Sequence, residues 1–131
     1  MEAELLFRRY IKDHWIGNKL ADAHFSFPPS LNRGRFSEPD DVIYSEDGSL
    51  DGYGVLEFTV ADIPKSLQDQ AGTEYVFFPV HMPCELNYSH SEIHSEREQQ
   101  RGQPANPSSA TRKKFRAMLS QKINVRIPAQ I

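Results

Sequence analysis

Cysteine, long apolar runs and acidic residues near the C-terminal end are what this sequence has least of. Its one cysteine, Cys84, excludes an internal disulfide and favours a reducing, intracellular setting. No apolar run approaches the roughly 20 residues that a membrane-spanning helix needs. The acidic start, with Glu2 and Glu4 and no apolar stretch, does not resemble a secretory signal. We therefore expect a cytoplasmic protein without a membrane partner.

Acidic residues are absent from position 99 onward, where the chain carries seven basic residues. Because the net charge of the whole chain is −3, residues 1–98 must carry −10. Either the acidic body or the basic C-terminal helix is therefore a candidate surface for a protein partner, unless the two pack against each other within one domain. Nucleic acid is a disfavoured partner, because aromatic residues do not alternate with the basic ones.

The length of 131 residues fits a single domain, 1–131, with a core of its own. Short strand-like runs separated by long polar loops predict an α+β fold with a bent, mostly antiparallel sheet and a C-terminal helix packed on it. We predict strands at 5–10, 42–44, 54–60, 75–80 and 122–127, and an irregular or helical connection at 12–20. Residues 97–110, rich in Gln, Gly, Pro, Asn and Ser, predict a mobile loop.

The predicted helix spans 109–121, and Ser108 or Ser109 is placed to cap it. Its apolar residues recur at positions i, i+3 and i+4, which fall on one face of a helix. That face would carry Phe115, Met118 and Leu119, with Arg112, Lys113 and Arg116 outside it.

Two arginines flank a glycine in the stretch Arg33-Gly34-Arg35-Phe36, directly before the acidic residues Glu38, Asp40 and Asp41. Guanidinium groups bind phosphates and carboxylates in a bidentate manner, and a glycine lets the backbone approach the ligand. The turn is therefore a candidate anion-binding site. The alternative is that both arginines pair with the neighbouring acidic residues.

Three histidines and the only cysteine lie close together in the sequence, as His81, Cys84, His90 and His94. Zinc fingers have a longer interval between their two pairs of ligands than the five residues that separate Cys84 from His90. We therefore expect no bound metal. The alternative role for these histidines is to cap turns or to form hydrogen bonds with the backbone. If the chain is extended here, His90, Glu92 and His94 share one face, where a carboxylate can orient an imidazole as a general base.

The order Arg9-Tyr10, Asn32-Arg33-Gly34-Arg35-Phe36, Val42-Ile43-Tyr44 and Val55-Leu56-Glu57 resembles the N-terminal half of RES-domain proteins. These are bacterial toxins of an ADP-ribosyltransferase-like fold that consume or transfer from NAD. The resemblance implies that Arg9, Arg35, Tyr44 and Glu57 line a dinucleotide cleft. The Arg-Gly turn and the element Ser89-His90-Ser91-Glu92-Ile93-His94 also resemble small bacterial proteins without an assigned function.

Together these features predict a nucleotide-binding or NAD-consuming enzyme, an NAD glycohydrolase or an ADP-ribosyltransferase, with NAD as substrate. Its catalytic residues would be Glu57, Tyr44 and His90, and its ligand-binding residues Arg9, Arg33, Gly34 and Arg35. Two alternatives stay open. Tyr44 is also suited to the core and Glu57 to the outward side of a strand. The whole chain is also suited to a non-catalytic protein-interaction subunit of a toxin–antitoxin or phage-defence system.

Overall fold

A seven-stranded antiparallel sheet and one long helix form the body of the protein. The computed structural model describes residues 3–21, 27–42, 52–84 and 87–131. Its strands are β1 (Leu5–Tyr10), β2 (Trp15–Ile16), β3 (Lys19–Leu20), β4 (Ser30–Arg33), β5 (Gly54–Thr59), β6 (Ser66–Gln68), β7 (Glu74–His81), β8 (His90–Arg97) and β9 (Asn124–Ile127). Within these ranges, the helices are α1 (Pro39–Val42) and α2 (Ser109–Ser120), and short 3-10 turns lie at Lys12–His14, Val60–Asp62 and Glu98–Gln100.

The strand order of the large sheet is β6-β7-β8-β4-β1-β5-β9, and β2 and β3 form a separate hairpin. Every described pairing is antiparallel. The predicted α+β class, with a mostly antiparallel sheet and a C-terminal helix, is confirmed. No helix in the described ranges is long and apolar enough to cross a membrane.

One face of the sheet, called here the helix face, packs against α2. Alternate residues of each strand point to it, among them Leu6, Leu56, Phe77 and Ile93, which join a buried cluster with Phe115 of α2. The ring of Phe115 meets the rings of Phe27 and Phe77 at centroid distances of 5.2 and 4.6 Å. The main hydrophobic core therefore lies between this face and the helix.

The helix α2 begins as predicted, because the Ser108 hydroxyl accepts a hydrogen bond from the Thr111 amide. Phe115 and Leu119 are fully buried, as the periodicity predicts. Two expectations were wrong: Met118 is exposed and Arg116 is buried. The i+3 residue lies at the edge of the apolar stripe, and a long arginine side chain can bury its aliphatic stem.

The second face, called here the opposite face, carries a smaller apolar cluster of Phe7, Val55 and Val42. Val42 is the last residue of α1, so the expectation of a strand beginning at Val42 was wrong. Pro39 at the first helical position favours a helical turn, because proline already has the required φ and has no amide hydrogen to satisfy. The remainder of the predicted strand, residues 43 and 44, lies outside the described residues.

Three further strands of the sheet, β4, β6 and β8, were not predicted as strands, and residues 12–20 form more than an irregular connection. There, Gly17 and Asn18 both have positive φ, 58° and 62°. Two such residues in a row make the tight turn that joins β2 to β3. The short 3-10 turn at Lys12–His14 precedes this hairpin.

Candidate functional site

The predicted site residues do not gather in one place. Glu57, Phe7, Asn32 and His90 are directly opposite one another across four neighbouring strands, β5, β1, β4 and β8, and so form one row on the opposite face. Neighbouring strands lie about 4.8 Å apart, so three intervals separate Glu57 from His90 by about 14 Å. A single small catalytic centre does not span that backbone separation without long side chains on both sides.

Glu57 lies in β5, the strand next to the edge strand β9, between Phe7 of β1 and Asn124 of β9. Its Oε2 atom is buried and has no hydrogen-bond partner, which is rare for a carboxylate oxygen. The neighbouring apolar cluster of Phe7, Val42 and Val55 explains the loss of water contact. An unpaired carboxylate oxygen is the kind of group that a ligand or a catalytic role accounts for.

Arg9 shares the opposite face with Glu57, because its strand partner is Val55, two residues before Glu57. Its guanidinium lies over the ring of Tyr53, 4.5 Å from the ring centroid. The preceding arginine, Arg8, alternates to the helix face and donates to the Ser30 carbonyl at 2.7 Å. Burial lowers the pKa of Arg8 to about 10.

Arg33 forms a bidentate ion pair with Glu4, which lies 29 positions earlier in the chain. Its Nε and Nη2 atoms donate to the two carboxylate oxygens at 2.9 and 2.8 Å. This hydrogen bonding holds the pKa of Glu4 below its ordinary value and raises that of Arg33. The guanidinium of Arg33 is thus occupied by Glu4 at the end of the sheet.

Gly34 holds the turn against β1. Its amide donates to the Leu5 carbonyl at 2.8 Å, and a Cβ at this position would meet the same oxygen at 2.9 Å. Only glycine allows so close an approach of two backbones. The same Cβ would lie 3.3 Å from the Phe7 ring, so the turn and Glu57 both border Phe7.

The side chain of Arg35 is exposed and reaches a group of aromatic rings beside the turn. We call Arg35, Phe36, His81 and Tyr88 the Phe36 cluster. The centroid distances are 5.2 Å from Phe36 to His81, 5.0 Å from Phe36 to Tyr88 and 5.3 Å from His81 to Tyr88. The Arg35 guanidinium lies 5.8 Å from the Phe36 centroid.

Three chain segments build the Phe36 cluster. Phe36 is placed by the turn, in which its amide and the Ser37 hydroxyl both bond the Arg33 carbonyl. His81 ends β7, and Tyr88 stands just before β8. Phe36 and Tyr88 remain 41% and 63% exposed. The sequence indicated Phe36 through the Gly-Arg-aromatic turn, whereas Tyr88 carried no separate signal because no local pattern links it to a residue 52 positions earlier.

His90, Glu92 and His94 share one face, because the segment is extended in β8, the condition on which that arrangement depended. The Glu92 carboxylate lies 3.5 Å from Nε2 of His90 and 2.9 Å from Nε2 of His94. These contacts, chiefly the one with His94, hold the pKa of Glu92 below its ordinary value. One carboxylate thereby contacts both imidazoles.

The four candidate zinc ligands fall on different sides of the sheet. His81 is opposite Ser91 in the ladder and so shares the helix face, whereas His90 and His94 lie on the opposite face. Cys84 is exposed, and its Sγ lies 3.6 Å from the Asn87 carbonyl oxygen. Within the described ranges, no group of three or more His, Cys, Asp or Glu side chains is arranged to hold a metal ion.

An open groove of about 300 Å³ lies at the outer edge of β7, lined among others by Lys65, Phe78 and Arg101. None of the predicted site residues that the structure describes contributes to its lining.

Tyr44, the remaining predicted catalytic residue, lies outside the described residues. Comparison of the chain with protein-family models, with curated proteins and with solved structures returns no match.

Proposed function

We propose that this protein binds a nucleotide at the Phe36 cluster, with NAD as the first candidate. One observation carries the proposal: an exposed arginine without an ion pair among the described residues lies near the exposed ring of Phe36, which in turn contacts the exposed ring of Tyr88. Flat rings stack on aromatic side chains, and a guanidinium binds phosphate oxygens. A nucleotide combines both groups in one molecule.

The two arginines of the turn have different roles in this proposal. Arg33 pairs with Glu4, so most of its charge is already compensated. Arg35 is exposed and therefore supplies the charge that a phosphate would neutralise. The ion pair of Arg33 fixes the turn, and the fixed turn positions Arg35 and Phe36 for the ligand.

The resemblance to RES-domain toxins extends the proposal to NAD consumption. In that reading Glu57 stabilises the positive charge that develops on the ribose as nicotinamide leaves. The buried, unpaired Oε2 of Glu57 supports such a role. Gly34 and Glu57 both border Phe7, but His81 of the Phe36 cluster lies on the helix face and Glu57 on the opposite face, so the ligand would have to extend around the end of the sheet to bring its ribose to Glu57.

Isothermal titration with NAD and AMP tests the proposal. The wild-type protein should bind at least one of them, and Arg35→Ala should weaken binding about tenfold, as loss of a charge-assisted phosphate contact predicts. Arg97→Ala is the matched control, because Arg97 is also exposed but lies at the end of β8 and contacts Gln100. Absence of binding to the wild type would overturn the proposal.

The second candidate function is a protein-interaction subunit, and the exposure of Met82 favours it. Met82 directly follows His81 in the sequence and is an exposed apolar side chain, as Phe36 and Tyr88 are. A patch of this composition, flanked by charge, is typical of protein interfaces. If neither nucleotide binds the wild-type protein, this interpretation replaces the first.

A further inference from the structure

Both ring nitrogens of the half-buried His81, Nδ1 and Nε2, are shielded from solvent and have no hydrogen-bond partner. Directly opposite in the ladder, Ser91 is 1% exposed, and its hydroxyl is also unpaired. The two residues share the helix face but form no bond with each other.

Three unpaired polar atoms in one place need an explanation. Buried polar atoms are almost always hydrogen-bonded, because each unmet bond destabilises the folded state. A role confined to packing does not require an imidazole here, since a phenyl ring fills similar space without polar atoms. The polar groups of a bound ligand would satisfy these atoms.

The position of His81 relates these atoms to the Phe36 cluster. Its ring lies 5.2 Å from Phe36 and 5.3 Å from Tyr88, measured between centroids. Both neighbours are exposed and pack against the imidazole, so a flat ligand that displaces one of these rings from the solvent side comes into contact with the ring nitrogens. Neutral imidazole offers one donor and one acceptor to such a ligand.

We infer that His81 determines ligand specificity by hydrogen-bonding the polar edge of the ring that stacks on Phe36 and Tyr88. This inference rests on the proposed nucleotide binding and deepens it. The ligand class is a phosphate-bearing heterocycle with donors or acceptors on its ring, such as a purine or a nicotinamide. A plain aromatic phosphate would gain the stacking and the Arg35 contact but nothing from His81.

The experiment compares AMP with phenyl phosphate on the wild-type protein and on His81→Phe. The variant keeps an aromatic ring and removes both nitrogens. It should bind AMP about five- to tenfold more weakly and bind phenyl phosphate within about twofold of the wild type. Because the unpaired nitrogens are gone, its melting temperature should rise by about 3 °C.

Two further variants keep the test decisive. His81→Gln retains a donor and an acceptor and should preserve part of the preference for AMP, which covers the case in which His81→Phe does not fold. His94→Phe is the matched control on the opposite face: it removes a histidine bonded to Glu92 and should leave the binding of both ligands unchanged.

The outcomes separate the two claims. If the wild-type protein binds AMP and His81→Phe binds it equally well, the role of His81 is overturned, while nucleotide binding stands. If His81→Phe weakens the binding of AMP and of phenyl phosphate by the same factor, His81 shapes the site without hydrogen-bonding the polar edge of the ligand. That result also overturns the inference. If the wild type binds neither ligand, the nucleotide proposal itself fails.

Discussion

At the scale of single residues, the ion pair of Glu4 with Arg33 links the N-terminal end of β1 to the turn that follows β4. Both side chains are largely buried, and the geometry is bidentate. Such a pair contributes more than an exposed one, because removing one partner leaves the other charge without compensation. The pair therefore fixes the residues on either side of it, including Arg35 and Phe36.

We expect Glu4→Gln to destabilise the protein by about 1–2 kcal/mol at neutral pH, through loss of charge-assisted hydrogen bonds. The pKa of Glu4 is lowered in the folded state from a value of 4.5. Its contribution is therefore fully present above pH 4.5 and is lost as the pH falls through the lower folded pKa. Urea unfolding of wild type and variant from pH 7 to pH 3 measures this.

Glu74→Gln, an exposed position at the start of β7, is the control and should change stability by less than about 0.5 kcal/mol. A difference between wild type and Glu4→Gln that stays constant down to pH 3 would contradict the ionic character of the pair. Equal stability at pH 7 would contradict its contribution altogether.

The residues of the candidate site were predictable only where the signal was local. The Gly-Arg-aromatic turn indicated Arg35 and Phe36 because glycine and arginine have distinct local chemistry. The partner of Arg33 is Glu4, 29 positions earlier, and the nearer Glu38, Asp40 and Asp41 were the natural expectation. The pairing of β1 with β4 brings Glu4 next to Arg33. No local sequence pattern indicates that these two strands pair.

At the scale of elements, the strands with clear apolar alternation or β-branched residues were predictable. β1 occupies the predicted 5–10, β5 ends one residue earlier than predicted, and β7 extends one residue further than predicted at each end. β8 was missed as a strand because Ser and Glu fill most positions between His90 and Arg97. The strand tolerates its polar residues because only every second side chain is buried against the core. The buried positions are the small or apolar residues Ser91, Ile93 and Ser95.

The mobility of the segment 97–110 remains a prediction. The contacts of the segment indicate which of its residues should be mobile and which should be held in place. Most of its residues are exposed, but Pro107 is fully buried. The Ala105 amide donates to the Ser95 carbonyl at 3.0 Å, and the Ser95 hydroxyl donates back to the Ala105 carbonyl at 2.7 Å. The segment is therefore attached to β8 at Ala105.

Hydrogen exchange followed by NMR should show fast exchange at Glu98 and Gln99 and protection at Ala105, whose amide is bonded to β8. Ser95→Ala removes the hydroxyl but keeps the backbone bond, so protection at Ala105 should fall without being abolished. Uniform protection across 98–105 would show that the segment is an ordered part of the body. Uniformly fast exchange would show that the contact with β8 is not maintained in solution.

At the scale of the whole molecule, the sheet separates the groups that the sequence predicted to act together. The Phe36 cluster stands at one end of the sheet, and Glu57 and His90 lie three strand intervals apart in the row across the opposite face. The strand order could not be read from the sequence, because β4 and β8 were not recognised as the strands that stand next to each other in the sheet. Predicting residue types for a site was therefore easier than predicting their distances.

This separation predicts that Glu57 and His90 act independently. The free energies of unfolding of Glu57→Gln, His90→Ala and the double variant should be additive within about 0.5 kcal/mol, as expected for side chains more than about 10 Å apart. Glu92→Gln with His94→Ala is the positive control: these side chains are in direct contact at 2.9 Å and should show a coupling larger than that limit. Urea unfolding measures all six variants under one condition. Coupling between Glu57 and His90 as large as in the control would mean that the two residues share a site in solution, as the sequence predicted, and would restore a single catalytic cleft containing both.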